Sequence, residues 1–143
     1  MEASLEGIDS IGFSHCHFSR DIDFEPMRPY IRKIVRYALK NGLGETKLIN
    51  VNYPHLPDEE IKGMKICRQA NARWIEEFVE SIDPLGRKYY WLTGNFVNFD
   101  KGTDTDIWAL ENGYVSVVPV RHDLTNYQAM DSLQSLANQY DPV

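Results

Sequence analysis

Residues 9–53 place the tightest constraint on this chain, because a short apolar segment, an amphipathic helix and a second apolar segment follow one another. In MRPYIRKIVRYALK (27–40), Tyr30, Ile31, Ile34, Val35, Ala38 and Leu39 recur at helical spacing and form one apolar stripe. Arg28, Arg32, Lys33, Arg36 and Lys40 cover the opposite face, and Gly42 and Gly44 follow as stop signals. A solvated helix face accounts for those charges without a phosphate ligand. Before the helix, DSIGFSHC (9–16) alternates Ile11 and Phe13 with small residues; after it, KLINVNYP (47–54) reads as a strand stopped by Pro54. Strand, helix, strand is the pattern of two parallel strands joined by a crossover, so the expected fold class is α/β.

The flanking elements extend this reading. MEASLEG (1–7) has the look of a helix tail, with Met1, Ala3 and Leu5 available for burial and Gly7 as the stop. GMKICRQA (63–70) is a further strand, placing Met64, Ile66 and Arg68 on one face. RWIEEFVESI (73–82) and the aromatic strand 88–94 flank the turn Asp83-Pro84-Leu85-Gly86 and are expected to form a hairpin. Thr103 and Asp106 have capping-box spacing for a short helix ending at Gly113. YVSVVPV (114–120) is a strand whose Pro119 marks an edge or an end. Residues 123–139 form a final helix with Tyr127, Met130, Leu133 and Leu136 as its stripe.

Composition narrows the function class. A net charge of −6 argues against a nucleic-acid binder, which needs a basic face for phosphates. No apolar run is long enough to span a membrane, and the first residues lack the basic flank and apolar core of a signal peptide. Cys16 and Cys67 show no CxxC spacing, as expected of two reduced thiols in a cytoplasmic protein.

Few residues carry readable chemistry. His15 and His17 share a face at strand spacing and are a candidate metal pair, with Asp21 and Asp23 close behind; a third ligand at fixed spacing is missing. Asp104 and Asp106 resemble a carboxylate pair for a divalent ion, but a place in the first turn of a helix already accounts for them. No GxSxG, Gly-rich phosphate loop or HExxH is present.

Four blocks in order resemble the C-terminal part of the SurE (survival protein E) family of metal-dependent nucleoside monophosphatases. They are EGIDSIGFS (6–14), LINVNYP (48–54), DPLGRKYYWLTG (83–94) and DTDIWALENGYVSVVPVRHDLT (104–125). Val118 departs from the pattern, in which threonine is commoner before the proline. The resemblance implies a partial Rossmann-like parallel sheet with a β-hairpin extension and a C-terminal helix, as one domain. Residues 1–62 would be its α/β part, 63–100 the hairpin extension and 101–143 a helix–strand–helix part.

In the family pattern a divalent metal, magnesium or manganese, is held by an Asp-Asp pair, a serine and an asparagine, and a Ser-Gly-Thr turn lines the phosphate pocket. All of these fall before Met1, so the resemblance implies a truncated nucleotidase with no catalytic, metal or cofactor residue in this chain. Hydrolysis of a nucleotide is then expected only on complementation with an N-terminal half. A non-catalytic interaction module pairing with an intact homologue is the alternative. Tyr89, Tyr90 and Trp91 are expected at a homo-oligomer interface, and Ile11, Phe13, Ile49 and Val51 are expected to be left exposed.

Overall fold

The computed structural model describes residues 1–138. Strand β1 (Ser10–His15) and strand β2 (Leu48–Tyr53) lie side by side in parallel, from Ser10 opposite Leu48 to His15 opposite Tyr53. Between them runs α2 (Arg28–Asn41), the crossover helix, and before β1 lies the single turn α1 (Glu2–Leu5). The other side of β2 pairs antiparallel with β6 (Tyr114–Val120), which in turn pairs in parallel with β3 (Gly63–Ile66). The sheet is therefore mixed, in the order β1-β2-β6-β3, and the α/β expectation stands. A separate antiparallel ribbon consists of β4 (Ala72–Ile82) and β5 (Lys88–Asn98). Because β3 belongs to the main sheet, the extension proper begins at Ala72 rather than at residue 63.

Alternation along the two central strands creates two small cores. Ile49, Val51 and Tyr53 of β2 and Val115 and Val117 of β6 join Met27 and the α2 residue Ile34. On the other side, Val118 packs with Cys67 and with Ala109 of α3 (Asp106–Glu111). Val51 is 1% exposed and Tyr53 2%, and full burial of a side chain of that size contributes about 1.5–3 kcal/mol. Of the four side chains expected to lie exposed, Ile49 and Val51 are thus buried; Ile11 and Phe13 on the edge strand β1 are half-buried. β6 covers the flank of β2, which is why.

Asp9 closes the crossover. Its carboxylate accepts the Leu43 N–H (2.8 Å) and pairs with Lys47 (3.2 Å), tying the exit of α2 to the entrance of β1. Gly42 caps α2 at φ +67°, a left-handed conformation suited to glycine. Within α2 the stripe is narrower than its sequence suggests. Leu39 is 83% exposed because it lies about 140° around the helix from the buried Ile34.

Two further expectations need correction, and that for Pro119 holds as a strand end rather than an edge. Met1 and Leu5 face solvent and Ser4 is the buried residue of α1, its hydroxyl donating to the Met1 carbonyl (2.6 Å). The cap of α3 is Thr105, not Thr103: the chain stays extended through Thr105, bridging to Arg68, and its hydroxyl accepts the Trp108 N–H. Pro119 sits in an interior strand. The Cys67 N–H donates to the Val117 carbonyl, so alternate backbone groups of β6 face β3, and at Pro119 that neighbour has already ended. Pro119 therefore marks the end of that pairing and costs no ladder bond.

The ribbon matches the expected hairpin, with Asp83 organising its turn by accepting the Leu85 and Arg87 N–H groups. Its aromatic run divides between faces: Tyr89 and Trp91 meet edge-to-face at 6.2 Å, while Tyr90 points the other way and donates to Glu80 (2.9 Å). The final helix is α4 (Tyr127–Asn138), whose stripe of Tyr127, Met130, Leu133 and Leu136 is exposed; residue 139 lies outside the described residues. Among the described residues no helix is long and apolar enough to cross a membrane.

Gly94 is where the ribbon tolerates least change. At φ +154° it lies opposite Glu76, and an added Cβ would come within 2.3 Å of the Ile75 carbonyl oxygen. Gly94→Ala is expected to destabilise the ribbon by about 1–3 kcal/mol. Amide chemical-shift changes should be confined to 72–98, and changes spread through β2 and β6 would contradict the separation of ribbon from core.

Candidate functional site

Because β1 and β2 are parallel and in register, both end at the same height, and the loops after them meet at their carboxyl ends. That is where open α/β sheets bind ligands. Here the loop after β1 and the loop after β2 enclose a cleft of about 380 Å³ lined by His15, His17, Asp21, Asp23, Tyr53 and His55, among others. The two histidines singled out from sequence both line it, with ring centroids 6.4 Å apart, but β1 ends at His15 and His17 lies in the loop beyond, so strand alternation does not relate them. His55, thirty-eight positions beyond His17 in the chain, is the third imidazole that spacing did not supply. Its ring stacks on His17 at 3.9 Å and meets His15 edge-on at 5.4 Å.

Packing fixes His15 and leaves the other two imidazoles open. The His15 ring stacks on Tyr53 at 5.8 Å and touches Phe24 edge-on, and its Nδ1 is buried with no hydrogen-bond partner. Tyr53 donates its hydroxyl to Asp58 (3.1 Å), and burial together with that carboxylate raises its pKa far above the usual phenol range. His17 and His55 are exposed, and His17 Nδ1 accepts the Ser19 N–H at 3.0 Å. Asp23 accepts the Glu25 N–H (2.9 Å). Burial, reinforced by the neighbouring His55 and His17, pushes the His15 pKa below the ordinary imidazole value.

The carboxylate pair Asp104 and Asp106 is engaged elsewhere. Arg68 forks onto both oxygens of Asp100 (2.6 and 3.0 Å) and donates Nε to Asp104 (2.8 Å). Asp100 also accepts the Asn71 and Gly102 N–H groups, and these donors hold its carboxyl well below the usual range. Asp106 accepts the N–H groups of Ala70 and Ile107. These contacts clamp the root of the ribbon to the start of α3. Among the described residues no three His, Cys, Asp or Glu side chains are already arranged about one metal position. The carboxylates do not fit a magnesium or manganese centre, whose oxygen donors here are committed to protein N–H groups and a guanidinium.

Comparison with known proteins agrees with the sequence blocks. The family profile described as Survival protein SurE matches residues 1–76. A protein named 5'-nucleotidase SurE from Flavobacterium psychrophilum is 51% identical over 135 residues, covering 94% of this chain and 52% of that protein. One of the same name from Christiangramia forsetii is 56% identical over 135 residues with the same coverage. The crystal structure of SurE from Aquifex aeolicus aligns with a TM-score of 0.74 at 40% identity, covering 95% of this chain and 54% of that one. The chain spans about half the length of the curated relatives it matches.

The lowered His15 pKa has a direct thermodynamic consequence. An unfolded chain with an ordinary imidazole near pH 6.5 takes up its proton before the folded chain does. The contribution is fully present above about pH 6.5 and is lost as pH falls through the lowered folded value. In chelator-treated protein, His15→Gln should flatten the fall in urea-unfolding free energy just below pH 6.5. Parallel pH curves for the two proteins would contradict this origin.

Proposed function

The chain belongs to the survival protein SurE family, and from that premise we propose that its 143 residues act as the scaffold half of a nucleoside monophosphate phosphatase. On this reading they supply sheet, ribbon and closing helix but no catalytic centre. The observation that carries it is the chain's own stock of carboxylates: it contains no Asp-Asp dipeptide and no Ser-Gly-Thr turn, and Asp104 and Asp106 are held by Arg68 and backbone N–H groups. Metal-assisted phosphoester hydrolysis needs an ion to activate water and to neutralise developing charge. That ion, magnesium or manganese in the family pattern, and the nucleotide would bind only with residues that these 143 do not contain. Two unpaired cysteines accord with a reducing, cytoplasmic setting.

The test is hydrolysis of a nucleoside monophosphate with manganese or magnesium, by this chain alone and mixed with a polypeptide carrying the remaining half of a SurE relative. Hydrolysis is expected only in the mixture. Steady metal-stimulated turnover by the chain alone, abolished in a His15→Ala/His17→Ala variant, would overturn the scaffold reading.

The same reading includes self-association. One face of the ribbon carries Trp74, Phe78, Tyr90, Leu92 and Phe96; the other carries Ile75, Val79, Tyr89 and Trp91. A two-stranded ribbon cannot bury apolar side chains on both of its faces by itself. Interfaces enrich such aromatics, and the α4 stripe adds a second uncovered surface. Sedimentation at micromolar concentration should show an oligomer, shifted toward monomer by Trp91→Lys. A monomer that binds no hydrophobic dye would contradict this part of the account.

A further inference from the structure

The histidine cluster lies outside everything the nucleotidase reading uses. We propose that His15, His17 and His55 form a binding site for one imidazole-seeking divalent transition metal, zinc or nickel rather than magnesium, at the carboxyl ends of β1 and β2. Three observations support it. First, three imidazoles bound through nitrogen at about 2.0–2.1 Å to one tetrahedral ion hold their ring centroids about 5 Å apart. The three centroid separations here are 5.4, 6.4 and 3.9 Å, so the rings already bracket that spacing. Second, the short separation belongs to the stacked pair His17 and His55, both exposed on loops and free to fan apart. Third, His15 is locked by its stack on Tyr53 while its Nδ1 is buried without a partner.

Ligation has a small local cost. Binding through either nitrogen of His17 breaks the bond from the Ser19 N–H, which is exposed and passes to water. Asp21 and Asp23 line the same cleft and give it the negative potential that favours a cation. A water would complete the fourth position. Nitrogen donors of this type select zinc, nickel and copper, whereas magnesium requires oxygen ligands.

The chain contains one other histidine, His122, which lies in a separate cleft with Glu45 and Asp123 and serves as the control. Metal-stripped protein is titrated with zinc chloride, nickel chloride and magnesium chloride by calorimetry, and with cobalt chloride by visible absorption. One zinc ion per chain should bind, cobalt should develop the intense bands of a tetrahedral site, and magnesium should give no saturable heat. His17→Ala and His55→Ala, both at exposed positions, should each weaken zinc at least about tenfold, while His122→Ala leaves it unchanged. Absence of saturable zinc binding, undiminished affinity in either exposed variant, or equal weakening in His122→Ala would overturn the proposal. Circular dichroism of each variant distinguishes loss of the ligand from loss of the fold.

Discussion

The parallel register of β1 on β2 is the constraint on which the rest of the structure depends. Parallel strands cannot be joined by a tight turn, so the pairing demands a crossover, and α2 supplies it. The crossover then brings Ile34 into one buried cluster with Ile49, Val51 and Val117, and Asp9 holds the return loop against the start of β1. A slip of one residue would turn His15 to the opposite face of the sheet from Tyr53 and dissolve the cleft. Packing, crossover closure and histidine cluster are consequences of a single ladder.

Order is distributed unevenly around that ladder. β2 and β6 are flanked on both sides by strands and carry most of the buried side chains. The ribbon is joined to this core through the Arg68, Asp100 and Asp104 clamp and otherwise presents Trp74, Phe78 and Trp91 to solvent. An exposed ion pair with Asp104 contributes little on its own, but the fork onto Asp100, which also takes two backbone N–H groups, fixes direction. The ribbon is thereby aimed without being covered.

Much of this was legible in the sequence because local periodicity and turn chemistry determined it. The apolar stripe of α2, the alternation of 9–16 and 47–54, and the Asp83–Gly86 turn each act over a few residues, and the four ordered blocks already pointed to SurE. What escaped depended on contacts between distant segments. His55 joins His15 and His17 only through the strand register, so no spacing rule could find it. Thr105 replaced Thr103 as cap because Arg68, more than thirty positions away, holds the preceding backbone extended. The division of Tyr90 from Tyr89 and Trp91 followed from strand alternation alone; treating the run as one unit obscured it.

The central proposal is that a small cooperative sheet carries a ribbon whose exposed aromatic faces are covered by self-association. Residue-resolved amide hydrogen exchange across a range of protein concentrations tests it most directly. The account predicts that β2 and β6 keep the same high protection at every concentration, while amides of 72–98 gain protection as concentration rises. A ribbon as protected as the sheet at the lowest concentration, or a sheet that loses protection on dilution, would contradict it.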